Sequence, residues 1–89
     1  MSIVDNTGQS RFELEENSAL AFATYHKHGD IYAIPHVEAD QSLRGKGAAG
    51  RLMEGIATLA RTKHYKIHPS CSYARAWFRR HPEHNDLVA

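Results

Sequence analysis

At 89 residues the chain holds one small domain and excludes a second. With 42% hydrophobic and 24% charged residues it reads as a soluble globular protein, without the run of about 18 apolar residues that a membrane span needs. A net charge of +1 gives no general pull toward nucleic acid or an anionic membrane, and the single cysteine excludes an internal disulfide.

Taken in chain order, Ile3-Val4 is a candidate short first strand before the turn Asn6-Thr7-Gly8. The segment Met1–Asp5 lacks the charged and apolar regions of a signal peptide. With the unpaired cysteine, this points to a cytoplasmic setting. Arg11-Phe12-Glu13-Leu14-Glu15 alternates polar and apolar residues, which puts Phe12 and Leu14 on one face of a strand. After a turn at Glu16-Asn17, Ala19–Tyr25 fits strand or helix by composition. Its aromatic and threonine content and its flanking turns favour strand. His28-Gly29-Asp30 reads as a hairpin connection into a further strand, Ile31–Glu38. Within that strand Pro35 cannot donate to a ladder and so predicts an edge, a bulge or a splayed partner.

Beyond the polar connection Ala39–Leu43, a helix is predicted from about Lys46 to Thr62. Ala49, Leu52, Met53, Ile56, Leu59 and Ala60 recur at helical spacing, and Gly55 marks close packing. His64–Cys71 reads as a short strand parallel to the one before the helix, joined by a right-handed crossover. Ser72–Arg80 reads as a short second helix with Ser72 as its N-cap. Pro82 ends it, and the last residues read as a tail.

The densest signal is Arg44-Gly45-Lys46-Gly47-Ala48-Ala49-Gly50-Arg51, a Gly-rich cationic loop running straight into the long helix. Unpaired N–H groups and the positive helix end make such a place an anion site, and phosphate or pyrophosphate is the expected guest. Three cofactor patterns compete for it. Gly45 to Gly50 satisfies the dinucleotide pattern G-x-G-x-x-G, but no acidic residue stands between Glu54 and Glu83 to hold a ribose, and too few residues follow for a full nucleotide-binding half. Gly45 and Gly50 also suit a P-loop. There Arg51 replaces the required lysine and Leu52 the metal-binding hydroxyl.

Arg44-x-x-Gly47-x-Ala49 fits the third pattern, Q/R-x-x-G-x-G/A. Here the chain resembles the GNAT superfamily of acetyl-CoA-dependent N-acetyltransferases over almost its whole length. His36-Val37-Glu38 before the loop and Cys71-Ser72-Tyr73-Ala74 after the last strand narrow the resemblance to small single-domain GNAT-like proteins, which lack the N-terminal helices that help build an acceptor pocket. The resemblance implies an α/β (α+β) fold with a mixed, mainly antiparallel sheet in a single domain over residues 1–89. It also implies coenzyme A or acetyl-CoA as cofactor. The backbone at Val37 and Glu38 would hold the pantetheine arm. Arg44, Gly45, Lys46, Gly47, Ala48, Ala49, Gly50 and Arg51 would hold the pyrophosphate, with Tyr73 nearby.

Amine acetylation needs a base, a polarised carbonyl and a stabilised leaving thiolate. His36 and Glu38 are two apart on a strand and share a face, and histidine is the side chain that titrates nearest neutrality. His36 is therefore the candidate base, against the reading of a half-buried strand histidine bonded to a neighbour. Glu38 either orients it, acts through water or is simply solvated. Cys71 is the second catalytic candidate: a thiol at a helix N-terminus, where thiolates are favoured, or a small buried hydrophobe. Tyr73 either protonates the leaving thiolate or packs. Arg75, Arg79 and Arg80 are further candidates for a phosphate contact, and Trp77 and Phe78 read as packing residues. The seven histidines show no zinc spacing with one cysteine and read as solvated. The expectation is a monomeric acetyl-CoA-dependent N-acetyltransferase without metal, acting on a small amine or an exposed protein lysine or N-terminus, with no nucleic-acid or membrane partner. A non-catalytic acyl-CoA-binding module is the alternative.

Overall fold

The computed structural model describes residues 3–89; Met1 and Ser2, part of the segment read for a leader, lie outside them. The strands are β1 (Val4–Asn6), β2 (Arg11–Glu16), β3 (Ala19–His28), β4 (Ile31–Ala39) and β5 (Lys66–His68). The helices are α1 (Ala48–Lys63) and α2 (Ser72–Arg79), with short 3-10 helices at Gln41–Leu43 and Pro82–Leu87. The sheet runs in sequence order. Every pairing is antiparallel except β4 with β5, which α1 connects as a parallel crossover. This is the mixed, mainly antiparallel α/β architecture that the resemblance implies.

Alternation assigns the faces. Phe12 and Leu14 of β2, Ala21, Ala23 and Tyr25 of β3, and Tyr32 and Ile34 of β4 are buried. They meet the stripe Leu52, Met53, Ile56, Ala57 and Ala60 of α1, all fully buried. Asn17 and Ser18, at φ 51° and 62°, close the β2–β3 hairpin as a two-residue left-handed turn whose twist matches the strands. Gly55 faces the side chain of Ile3, just ahead of β1, and a Cβ there would collide with it.

Three boundaries move for physical reasons. Gly45 and Gly47 lie at φ 76° and 81°, a conformation no right-handed helix passes through, so α1 begins at Ala48 and not at Lys46. Strand β5 stops at His68, well short of Cys71, because the N–H groups of Ser70 and Cys71 turn onto the Ile34 carbonyl at 3.2 and 3.1 Å. The N-cap of α2 is Cys71, not Ser72: the Cys71 sulfur accepts the Ala74 N–H at 3.4 Å.

The C-terminus is not a tail. Pro82 opens a 3-10 helix that buries Leu87, and the Ala89 N–H donates to the Ile67 carbonyl at 2.8 Å. Val88 thereby bridges Ile67 and covers the outer edge of β5.

Candidate active site

The site begins with a mismatch of one residue. Between the pairs His26↔Ala33 and Thr24↔His36, β3 advances two residues and β4 advances three. The extra residue makes a bulge at Ile34-Pro35, where proline's missing N–H costs the ladder nothing. Beyond it the faces of β4 reverse. Val37 and Ala39 now pair with the buried Ala23 and Ala21, while His36 and Glu38 join Thr24 and Phe22 on the opposite, more exposed face.

The same bulge ends the pairing with β5, which is limited to Ile31–Ala33 against Lys66–His68. The Asp40 N–H donates to the Leu20 carbonyl at 2.9 Å, so alternation gives His36, Glu38 and Asp40 the hydrogen bonds to β3. The N–H and C=O of Val37 therefore point the other way, into the gap that β5 has left. An extended chain laid there meets backbone donors and acceptors without displacing any bond.

At the far end of this gap stands the Gly-rich loop. Gly47 is the N-cap of α1, has no side chain to cap with, and the first turn carries no acidic residue. Among the described residues, the N–H groups of Gly45, Gly47, Ala48, Ala49 and Gly50 have no protein acceptor. Five free donors at the positive end of a 16-residue helix form a cradle for an oxyanion. A coenzyme pyrophosphate fits such a donor set: tetrahedral, anionic and acceptor-only.

Arg51 does not contribute a free charge. Its guanidinium forks onto Glu16 at the β2–β3 hairpin, Nε and Nη2 each donating to a carboxylate oxygen at 2.7 Å, and Nη2 also donates to the Lys46 carbonyl at 2.8 Å. The Arg51 guanidinium holds the Glu16 carboxyl below its ordinary range. Arg51 is thus a brace under the loop; a Cβ at Gly47 would stand 3.0 Å from its Nη1. Arg44 and Lys46, both exposed, are the loop's own cations.

Helix α2 supplies the opposite wall. Gly47, Gly50 and Arg51 share an open groove of about 470 Å³ with Tyr73, Trp77, Arg80 and His81. Of the three arginines considered for a phosphate contact, Arg80 lines this groove; Arg75 and Arg79 face a separate hollow with Pro69 and Val88. Burial raises the Tyr73 phenol above its ordinary value, which keeps its proton in place at neutral pH.

Residues 11–87 match the family described as GCN5-related N-acetyl-transferase. The chain belongs to this family. That membership supports acetyl transfer in general terms.

The predicted residues fall into two groups. The loop residues Gly45 to Gly50 and Tyr73 converge on the groove. His36 and Glu38 lie apart from it on the open sheet face, joined to each other at 2.9 Å and each more than half exposed. Cys71 stands between, where β4 and β5 part, its N–H on Ile34. Among the described residues no hydrogen bond joins His36 to Cys71.

The histidines divide likewise. His26, His28, His64 and His68 are exposed, but His84 is only 12% exposed, against the expectation of solvation. It ties Glu54 (2.7 Å) to Arg61 (3.1 Å). Its atoms lie near Glu54 and Glu83 in a metal-like cluster. Arginine only donates, so Nδ1 accepts from Arg61 and Nε2 carries the proton to Glu54. Neither ring nitrogen keeps a lone pair for a metal.

Sequence reasoning missed Glu16, Trp77 and His81. Tyr73, Trp77, Arg80 and His81 recur at i, i+4, i+7 and i+8, a single helical face, so that part was readable. The Glu16–Arg51 contact spans 35 positions and has no local signal.

Proposed function

We propose that the protein is an acetyl-CoA-dependent N-acetyltransferase whose acceptor is an amine, either a small molecule or an exposed protein lysine or N-terminus. The observation that carries this reading is the pair of unsatisfied backbone sets at the two ends of one gap. The Val37 edge suits the pantetheine amides, and the donors of Gly45 to Gly50 suit the pyrophosphate. Acetyl-CoA, when bound, supplies the activated acetyl thioester.

The chain's own groups have the following roles. Val37, with the neighbouring backbone of Glu38, aligns the arm by strand-like pairing. Arg44 and Lys46 add charge to the loop. The Glu38 carboxyl lies against Nε2 of His36 and orients the ring, which leaves Nδ1 as the ring nitrogen to take a proton from an incoming ammonium group. His36 is the base, on the face from which the acceptor approaches. Protonated Tyr73 donates toward the departing sulfur. Cys71 lines the point where the strands part; direct attack by the amine needs nothing more from it.

The test is incubation with acetyl-CoA and a panel of primary amines and lysine peptides, following free thiol. Amine-dependent thiol release that falls at least ~30-fold in His36→Gln supports the reading. Binding of acetyl-CoA with no thiol release for any amine overturns catalysis and leaves a binding module, a role to which the exposure of His36 and Glu38 also lends itself. Unchanged turnover in Cys71→Ala removes any covalent role for the cysteine.

A further inference from the structure

Trp77 is the protein's sole tryptophan and is 3% exposed. Its ring is held in place by its neighbours. His81 stacks on it at 3.9 Å and 15°, and the His84 ring lies nearly parallel at 5.7 Å. The Phe78 ring meets it edge-on at 5.1 Å. His81 also fixes the turn beneath, its Nδ1–H donating to the Trp77 carbonyl at 2.7 Å.

Nothing comparable holds the indole N–H. The ring is buried, but its N–H is not sealed off: among the described residues Nε1 has no protein acceptor, and Tyr65 Oη is the buried side-chain polar atom left without a partner, so Nε1 keeps access to solvent. It lies beside Gly50: apart from Gly50's chain neighbours and its own helix backbone, it is the nearest atom to the position a Gly50 Cβ would occupy, at 3.9 Å. Gly50 belongs to the first turn of α1, where the N–H groups of Ala48, Ala49 and Gly50 are free, and Trp77 and Gly50 line the same groove. A rigid, nearly buried side-chain donor therefore converges with the free backbone donors. Arg80 lines this groove too, whereas the charge of Arg51 is already matched by Glu16.

We propose that the Trp77 indole N–H is a donor to the phosphate oxygens seated on the first turn of α1, and that Arg80, not Arg51, supplies the counter-charge. This rests on the coenzyme reading above and names how α2 takes part in it. The ligand class is a phosphate diester or pyrophosphate ester, whose oxygens accept from backbone and indole at once. A tryptophan that reads as core packing thus doubles as a binding residue. Packing fixes its ring, which makes the donor pre-organised.

With one tryptophan, the side-chain N–H gives a single, unambiguous proton–nitrogen resonance. Titration of the full chain with coenzyme A, and separately with inorganic pyrophosphate, is expected to move that resonance downfield along a saturable curve. Its midpoint should match the dissociation constant from calorimetry. Trp77→Phe keeps an aromatic ring and removes the donor, and is expected to weaken coenzyme A about 10-fold. Arg80→Gln is expected to weaken it similarly and to flatten its salt dependence, while Arg79→Gln changes neither. Melting curves report folding of each variant, and should Trp77→Phe fail to fold, the resonance of the unaltered chain decides. Coenzyme A binding that leaves the resonance in place, or that persists within twofold in folded Trp77→Phe, overturns the proposal while leaving the coenzyme reading intact. No binding by the unaltered chain overturns the coenzyme reading itself.

Discussion

The two ends of α1 are built on opposite principles. At its C-terminus the polar groups are matched. His64 takes the left-handed conformation of a C-cap, its N–H and that of Tyr65 both closing on the Ala60 carbonyl. Arg61 and Lys63 sit in the last turn, where cations complement the helix dipole. Arg61 forks onto Asp86, His84 joins it to Glu54, and the Lys66 ammonium donates to the Asp86 carbonyl, tying the terminal 3-10 helix down. At the N-terminus there is no cap side chain, no acidic residue and a run of free donors. A helix capped at one end and left open at the other is what the proposed coenzyme seat requires, since a serine or aspartate at position 47 would have closed it.

The sharpest way to break this contrast is Gly47→Val. The left-handed φ of 81° and the Arg51 guanidinium 3.0 Å from the new Cβ both resist it. We expect coenzyme A affinity to fall on the order of 100-fold by calorimetry. The melting temperature should drop only modestly, because the loop lies outside the core. An unchanged affinity would mean that the loop geometry is not what binds.

Next in size is Glu16→Gln, which frees Arg51. If Arg51 is a brace, affinity falls by roughly 3- to 10-fold as the loop loosens; if it is a phosphate ligand in waiting, affinity rises. The same variant has a pH signature. The folded-state pKa of Glu16 is depressed by Arg51, so its stabilisation is present above the ordinary value of 4.5 and is lost as pH falls through the depressed value. The melting-temperature gap between the unaltered chain and Glu16→Gln should stay constant above pH 4.5 and close below it. A gap that closes near neutrality would contradict the assignment.

Smaller effects belong to the matched end. Arg61→Gln breaks an exposed fork and a link to His84, and should lower the melting temperature only slightly with no change in coenzyme A affinity. Smallest is His64→Gly, which relieves a left-handed non-glycine residue and should raise stability by about 0.5–1 kcal/mol, a shift of a few degrees in the melting curve. A change in coenzyme A affinity from either variant would show that the two ends are not independent.

Much of this was legible in the chain. Alternation in Arg11–Glu16, the helical stripe from Ala49 to Ala60 and the punctuation at Pro35 were enough for the succession of elements, the parallel crossover and an irregularity in the strand before the loop. The loop showed through its glycines because positive φ is a local demand that few other residues meet. Long-range choices were not legible. Arginine at position 51 reads as a phosphate ligand until Glu16 arrives from a hairpin 35 residues away. His84 reads as solvated until the terminal 3-10 helix folds back onto α1. Cys71 reads as the residue before a serine cap, yet the polarisable sulfur does the capping itself. In each case the partner, not the residue, decides the role, and partners are set by the fold.

The central claim is that one ligand lies along the Val37 edge and ends on the donors of Gly45 to Gly50. Backbone amide resonances followed during a coenzyme A titration test it most directly. The account predicts saturable shifts concentrated at Val37, Glu38, Gly45, Gly47, Ala48, Ala49 and Gly50, with Arg61, Lys66 and His84 unmoved. Shifts gathered instead around the hollow of about 410 Å³ between Asp5, Lys27, Tyr32 and Tyr65, at the far end of the sheet, would contradict it.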